Sequence, residues 1–179
     1  TGLDTLVIEV EKPVAMFTVD NLSGCQPLTV NFTNGSSGYV SVLWDFGDSQ
    51  TSTEVSPAHT YPNLGLALAF YTVRLEVTSA NGCVSSMENN ITVFPEILSD
   101  FIMSDDTICS GERVTFSTVP AALNYYWTYG DGNVATGSNV VNHIYYNATT
   151  APVTYNVMLR TESFFGCISE TTVPLVVYP

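Results

Sequence analysis

The sequence has little positive charge. Its 179 residues hold 4 Lys and Arg against 17 Asp and Glu, a formal net charge of −13. A surface of that sign repels phosphate backbones, which argues against nucleic-acid binding and disfavours anionic membrane surfaces in the same way. No run of about 18 apolar residues occurs, so no helical membrane span is expected. There are 2 His, and neither belongs to a His-Glu-x-x-His pattern. Gly-x-Ser-x-Gly is missing too, so the short signatures of metal- and serine-dependent hydrolysis are not found. None of the 4 Cys are spaced as Cys-x-x-Cys, which argues against zinc ribbons and dithiol redox centres. Helical periodicity between the candidate strands is also lacking, which argues against α/β folds.

What is present points to β-structure. Hydrophobic residues make up 45% of the chain, with 10 Tyr and 9 Phe, a composition that suits pleated, half-buried surfaces. One stretch organises the rest: Trp44-Asp45-Phe46-Gly47-Asp48-Ser49, which returns as Trp127-Thr128-Tyr129-Gly130-Asp131-Gly132. Alternation puts Trp44 with Phe46, and Trp127 with Tyr129, on one face of a strand. The Gly-Asp-Ser and Gly-Asp-Gly steps that follow are turn chemistry. Around these stretches the two copies keep a common offset of 84 residues. Phe17 matches Phe101, Cys25 matches Cys109, His59 and Tyr61 match His143 and Tyr145, Tyr71 matches Tyr155, and Cys83 matches Cys167. A period this long holds a whole domain's worth of strands, so it marks tandem domains and not a solenoid.

The pattern predicts strands over 14–20, 28–34, 39–46, 51–54, 70–79 and 84–94, with a short strand or bend at His59 and Tyr61. In the second copy it predicts strands over 100–104, 113–118, 124–129, 134–136, 156–163 and 169–177. Residues 21–27, which carry Cys25, read as a turn-rich loop. The domains are expected at 1–95 and 96–179. Residues 1–12 resemble the closing strands and read as an edge strand or the tail of a preceding unit, so the chain is expected to be a piece of a longer one. Residues 95–99 form a short linker without Gly, which restricts the angle between units and suggests a semi-rigid rod.

The motif set resembles the polycystic kidney disease (PKD) domain, an immunoglobulin-like β-sandwich with the signature Trp-Asp-Phe-Gly-Asp-Gly, then His-x-Tyr, then Tyr-x-Val-x-Leu-x-Val. Copy one carries Trp44 through Asp48, His59-x-Tyr61 and Tyr71-x-Val73-x-Leu75-x-Val77. Copy two carries Trp127, Gly130 through Gly132, His143-x-Tyr145 and Tyr155-x-Val157-x-Leu159-x-Thr161. Ser49 and Thr128 are the departures. The resemblance spans roughly residues 13–179 and implies an all-β protein of two tandem immunoglobulin-like (PKD-type) β-sandwich domains. Trp44, Phe46, Gly47, Asp48, His59, Tyr61, Tyr71, Trp127, Tyr129, Gly130, Asp131, His143, Tyr145 and Tyr155 would be its structural motif residues. The added Cys pair resembles the version found in large secreted, adhesin-like proteins of gliding, type IX-secreting bacteria, which implies an extracellular or cell-surface location.

Four cysteines allow three connectivities. The repeat favours Cys25–Cys83 and Cys109–Cys167, since a self-contained unit should close its own bridge. Against this, an immunoglobulin-like order puts Cys25 before the second strand and Cys83 after the sixth, at points that can lie at opposite ends of the sandwich.

Several residues are candidates for more than packing. Trp44 and Trp127 are read as core anchors before sugar-stacking rings. His59 and His143 are read as structural partners of a turn, because a general base would need a nucleophile fixed beside each. Asp45, Asp48 and Asp131 are weak calcium candidates: some members of the resembled family bind calcium, but the ion needs several converging oxygens, and the simpler reading is turn formation. No other cofactor is expected. Tyr126, Tyr146 and Phe164 belong to adjacent aromatic pairs, one member of which should point outward, and are candidate contacts for a glycan or partner. Asn-x-Ser/Thr triplets at Asn21, Asn31, Asn34, Asn90 and Asn147 are expected by chance in such a composition.

These readings favour a non-catalytic extracellular structural or adhesive module. It would be a semi-rigid spacer in a large secreted or cell-surface protein, monomeric as a fragment, contacting other domains of the same chain, surface proteins or glycans. The alternative is a carbohydrate-binding accessory module of a secreted polysaccharidase or protease.

Overall fold

The computed structural model describes residues 12–119 and 122–179. The edge strand expected within residues 1–12 falls, but for Lys12, outside the described residues. The chain divides into two compact units, Thr1–Pro95 and Glu96–Pro179. Unit 1 contains β1 (Phe17–Val19), β2 (Ser23–Cys25), β3 (Leu28–Asn34), β4 (Ser41–Asp45), β5 (Thr51–Ser52), β6 (Ala58–Tyr61), β7 (Ala69–Thr78) and β8 (Val84–Phe94). Unit 2 contains β9 (Phe101–Met103), β10 (Thr107–Cys109), β11 (Arg113–Thr118), β12 (Asn124–Thr128), β13 (Val134–Thr136), β14 (Val140–Ile144), β15 (Val153–Glu162) and β16 (Ile168–Tyr178). No helix occurs among the described residues.

Each unit is a sandwich of one three-stranded and one five-stranded sheet. In unit 1 the orders are β1-β3-β6 and β2-β8-β7-β4-β5; in unit 2 they are β9-β11-β14 and β10-β16-β15-β12-β13. The two units therefore share one topology. Alternation explains the inner faces. On β3, Leu28, Val30 and Phe32 are buried while Thr29 and Asn31 face water; on β7, Val73, Leu75 and Val77 are buried. The same rule buries Val114 and Phe116 on β11 and Val157, Leu159 and Thr161 on β15. Slipping any of these strands by one residue would turn its apolar set to solvent, so burial fixes the register.

Trp44 on β4 and Trp127 on β12 fill the centres of the two cores and are almost wholly buried. Phe17 meets Trp44 edge-on at 5.1 Å and Phe32 lies 5.3 Å from it; in unit 2, Phe101 meets Trp127 at 5.1 Å. Each indole Nε1–H is satisfied at the far side of its hairpin, donating to Glu54 O (3.0 Å) or Ser138 O (2.9 Å). A buried ring of this size thus leaves no orphan polar atom.

Strand prediction misses three elements. β2 falls in the loop expected at 21–27 and β10 in a stretch where no strand is predicted, because Ser23-Gly24-Cys25 and Thr107-Ile108-Cys109 are short and the first has no apolar alternation. They form by parallel pairing to the end of the last strand, with Cys25 opposite Phe94 and Cys109 opposite Tyr178, a long-range contact that no local pattern reports. The third is β14, which completes the smaller sheet by pairing with β11.

That parallel pairing corrects the expected disulfides. Cys83 and Cys109 are free thiols, so neither Cys25–Cys83 nor Cys109–Cys167 forms; Cys25 and Cys167 are disulfide-bonded. The reason lies in the length of one strand. Cys25 sits opposite the last residue of β8, and Cys83 immediately precedes its first. An eleven-residue strand separates its ends by roughly 35 Å, whereas a disulfide needs Cα atoms within about 7 Å. Cys109 and Cys167 stand in the same relation to β16. The requirement that a unit close its own bridge cannot be met by this topology.

The hairpin after each tryptophan carries its strain unevenly. Gly47 and Gly130 hold φ of 80°, and a Cβ on either would lie 2.6–2.7 Å from the carbonyl oxygen of Thr72 or Asn156, so only glycine fits. Two residues on, unit 2 has Gly132 at φ 95°, but unit 1 has Ser49 at φ 74°. A side chain in that left-handed region costs about 1–2 kcal/mol, partly offset because glycine loses more freedom on folding. Ser49→Gly is therefore expected to stabilise unit 1 by about 0.5–1 kcal/mol, measured by urea denaturation. No gain would show that Ser49 is unstrained.

Candidate functional site

The repeated motif residues converge at one place in each unit, the hairpin between β4 and β5 or between β12 and β13. Phe46 N–H donates to Gln50 O (3.1 Å) and Tyr129 N–H to Asn133 O (3.0 Å), closing the two turns. Asp48 Oδ1 accepts from Gln50 N (3.0 Å), and Asp131 Oδ1 accepts from Asn133 N (3.0 Å). The second carboxylate oxygen reaches out of the turn to the smaller sheet. His59 Nε2 lies 2.8 Å from Asp48 Oδ2, and His143 Nε2 lies 2.7 Å from Asp131 Oδ2. An ionised carboxylate only accepts, so Nε2 carries the proton in both.

Each imidazole is held on two sides. His59 stacks on Phe46 at 4.1 Å with an interplanar angle of 2°, and His143 stacks on Tyr129 at 4.1 Å and 4°. Tyr61 and Tyr145 meet these rings edge-on at 4.6 and 4.7 Å, and the ladder ends on Tyr71 and Tyr155. With Phe32 or Phe116 as the step from the indole, the rings of the expected structural motif thus form one aromatic chain per unit, running from the buried indole to a half-buried tyrosine. In each unit the histidine makes a polar link that ties the hairpin of the larger sheet to the smaller sheet.

The electrostatics follow the geometry. Burial works against ionisation of Asp48 and is the largest single influence, but the His59 hydrogen bond, the Gln50 N–H and the His59 charge together outweigh it and hold the carboxyl below its ordinary value. Asp131 is lowered in the same way by His143 and Asn133 against its own burial. Burial, then the nearby Asp48 charge, push the Tyr61 hydroxyl upward, and Tyr145 is raised likewise by burial and Asp131. The copies differ in one respect. Tyr145 OH donates to Tyr129 O at 3.0 Å, whereas the buried Tyr61 hydroxyl has no protein partner.

The hairpin acids are engaged in their own turns. Asp45 Oδ1 accepts from Gly47 N (2.9 Å), Asp48 is engaged as above, and Thr128 replaces the first acid in unit 2. Among the described residues no three His, Cys, Asp or Glu side chains come together.

The candidate contact rings stand on three separate surfaces of unit 2. Tyr126 faces outward from β12 at 36% exposure, with the Arg160 guanidinium 5.6 Å above its ring. Tyr146, 72% exposed, follows β14 and lines an open groove of about 310 Å³ with Arg113, Asn142, His143 and Ile144. Phe164, 81% exposed, is in the turn between β15 and β16 at the opposite end of the unit. The structure does not assemble them into one platform.

Sequence reading missed one pair of motif residues, Asn63 and Asn147. Both are buried. Asn63 Nδ2 donates to Ala67 O and Val93 O, both at 2.8 Å, while its Oδ1 accepts from Gly65 N (3.1 Å). Asn147 Nδ2 donates to Ala151 O and Val177 O, and its Oδ1 accepts from Thr149 N. Each amide pins the loop after the His-x-Tyr strand to the closing strand. Their offset of 84 residues was the available signal, hidden for Asn147 by its reading as a chance glycosylation triplet.

The chain is similar to known proteins over both units. A family model described as PKD domain matches residues 10–94 and again 98–177. Over 141 residues the chain is 36% identical to the pre-pro-metalloprotease PrtV of Vibrio cholerae serotype O1, covering 75% of this chain and 15% of that protein. Over 88 residues it is 34% identical to a microbial collagenase of Vibrio alginolyticus, covering 48% of this chain and 10% of the collagenase. The chain therefore spans a small part of the curated relatives it matches. Among solved structures, the PKD1 domain of the Vibrio cholerae metalloprotease PrtV is similar at 35% identity, with 47% of this chain and 99% of that one covered and a TM-score of 0.40.

The depressed carboxyls set an acid limit. With folded values below the unfolded value of about 4, the two Asp–His pairs contribute stability that is present above pH about 4 and is lost as pH falls through the folded values. Thermal midpoints of the wild type are expected to drop steeply below pH 4. Those of the Asp48→Asn, Asp131→Asn double variant should be lower at neutral pH and flatter in acid. Parallel profiles would remove these pairs from the acid response.

Proposed function

The chain belongs to the PKD domain family, of which it holds two tandem members, and on that premise we propose that it is a non-catalytic accessory module of a large secreted bacterial protein, where it serves as a semi-rigid spacer. The observation that carries this reading is the fate of the motif residues. The histidines, aspartates and large aromatics that could support chemistry are spent on one another in each unit, where they join two sheets. The relatives, a bacterial pre-pro-metalloprotease and a bacterial collagenase, support an accessory role and an extracellular setting. No helix among the described residues is long and apolar enough to cross a membrane.

The spacer part rests on the connecting segment. Its last residues are already part of unit 2. Leu98 O accepts from Thr161 Oγ1 (3.2 Å), and the buried Ser99 hydroxyl lies 2.9 Å from Ser169 Oγ and 2.8 Å from Thr171 Oγ1. Few residues are left to act as a hinge, and none is glycine. Backbone ¹⁵N relaxation tests this: the two units are expected to report one shared anisotropic tumbling, with 95–99 as ordered as the strands. Separate correlation times for the units would defeat the spacer reading.

A second reading, contact with a glycan or a protein partner, is favoured by one surface, the Tyr146 groove with its Arg113 and Asn142 side chains. Stacking on an exposed ring flanked by hydrogen-bonding groups is how such a groove would hold a sugar. Polysaccharide pull-down should then retain the chain and lose it on Tyr146→Ala, with Tyr126→Ala and Phe164→Ala unaffected. Equal loss for all three, or no retention, would count against this groove.

A further inference from the structure

We propose that the open groove beside Tyr146 in unit 2 takes a uronic acid residue of an acidic polysaccharide, with the Arg113 guanidinium holding the sugar's carboxylate. The proposal rests on the second reading above, in which this groove contacts a glycan, and names the class of sugar. The groove is built on one face of the smaller sheet. On β11 the alternation that buries Val114 and Phe116 turns Arg113 and Thr115 to the other face. Antiparallel pairing sets Ile144 opposite Arg113 and Asn142 opposite Thr115. Tyr146 follows two residues after Ile144, and its Cε1 lies over Gly111, 3.9 Å from where a Cβ would stand. Arg113, Asn142, His143, Ile144 and Tyr146 together line the groove.

The charge of the groove points to the charge of the ligand. Among the described residues Arg74 pairs with Glu76 at 2.8 Å and Arg160 with Glu170 at 3.5 Å, whereas Arg113 has no ion pair. Asp105 and Glu112 share a neighbouring depression with Arg113, and Glu112 Oε2 accepts from Cys109 N at 2.8 Å. No carboxylate lines the Tyr146 groove itself. A guanidinium stays charged, only donates, and has a planar fork that matches a carboxylate. Thr115 Oγ1 donates to Asn142 Oδ1 (2.6 Å), which leaves the Asn142 Nδ2 hydrogens for a sugar oxygen. His143 Nε2 is committed to Asp131. The exposed Tyr146 ring offers its face to the apolar side of a pyranose. A bound uronate thus brings to Arg113 the counter-charge that a glutamate brings to Arg74 and Arg160.

Unit 1 shows that the fold does not need these side chains. At the offset of 84 residues, Arg113, Asn142, Ile144 and Tyr146 correspond to Thr29, Ala58, Thr60 and Pro62. The register is the same, with Thr29 opposite Thr60, and the hydroxyls of these two residues bond each other at 2.8 Å. The smaller sheet therefore forms without a cation, an amide or an aromatic ring at these positions. In unit 2 all of them occur together around one depression, a coincidence that packing does not require.

The test is isothermal titration calorimetry of the whole chain with short oligomers of galacturonate, mannuronate and glucuronate, each beside its methyl ester. The ester removes the charge and keeps the ring. At about 150 mM salt the net charge of −13 is screened beyond about 8 Å, so its repulsion of an acidic oligomer is small. At least one uronate is expected to bind, and to bind about tenfold or more tighter than its ester. Arg113→Gln should abolish that preference, and Tyr146→Ala should abolish binding of acid and ester alike. Arg113→Thr, the residue that unit 1 carries there, should behave as Arg113→Gln does, and matching thermal midpoints show that the variants are folded. Esters that bind as tightly as the acids, or a preference that survives both Arg113 substitutions, would overturn the uronate assignment and leave the glycan reading of the groove standing. No binding of any acid would overturn the assignment as well, and the polysaccharide pull-down then decides separately whether the groove holds a neutral glycan.

Discussion

Each half of this molecule depends on one buried indole whose only polar atom is satisfied by a backbone carbonyl beyond its own hairpin. The ring supplies the volume that the two sheets close upon, and dispersion and transfer terms for a side chain of that size reach several kcal/mol. The hydrogen bonds from Trp44 to Glu54 and from Trp127 to Ser138 give that packing a direction, because they hold the return of the hairpin against the core. Everything else in the motif sits around this centre. Phe17 and Phe32, or Phe101 and Phe116, flank the ring. The next aromatic on the strand carries the stacked histidine, and the aspartate of the turn holds that histidine in place.

Residues that look like chemistry can thus be structure. An Asp–His pair at 2.7–2.8 Å with a depressed carboxyl has the local form of an activated base. Its presence in both units, with the imidazole clamped face-on and edge-on between rings, shows a latch between sheets. The loop amides Asn63 and Asn147 do the same work at the other edge of the core. Together they explain how a unit of some 84 residues, near the lower range for an independent core, keeps long irregular loops in one conformation without a disulfide of its own.

Much of this was legible in the sequence, for identifiable reasons. Alternation along 28–34 and 84–94 marks the strands because each has one wet and one dry face. The Gly-Asp turn declares itself because only glycine tolerates the close approach of Thr72 or Asn156 at that point. The long-range and the polar were hidden. β2 and β10 exist only by parallel pairing with a strand some 70 residues away and have no periodicity to betray them. Asn147 looked like a surface triplet because burial of an amide leaves no mark on its neighbours. The cysteine pairing failed for a related reason: the repeat showed which cysteines were equivalent, but the length of the closing strand decided which could meet.

The claim on which this account rests is that each indole is sealed in its own core and released only when that unit unfolds. Hydrogen exchange of the two indole Nε1–H protons, followed by NMR in native buffer, measures this directly. Protection of both protons with opening free energies equal to the unfolding free energy of their respective units is the predicted result. Exchange of either proton on the timescale of an exposed side chain, with its unit still folded, would contradict it.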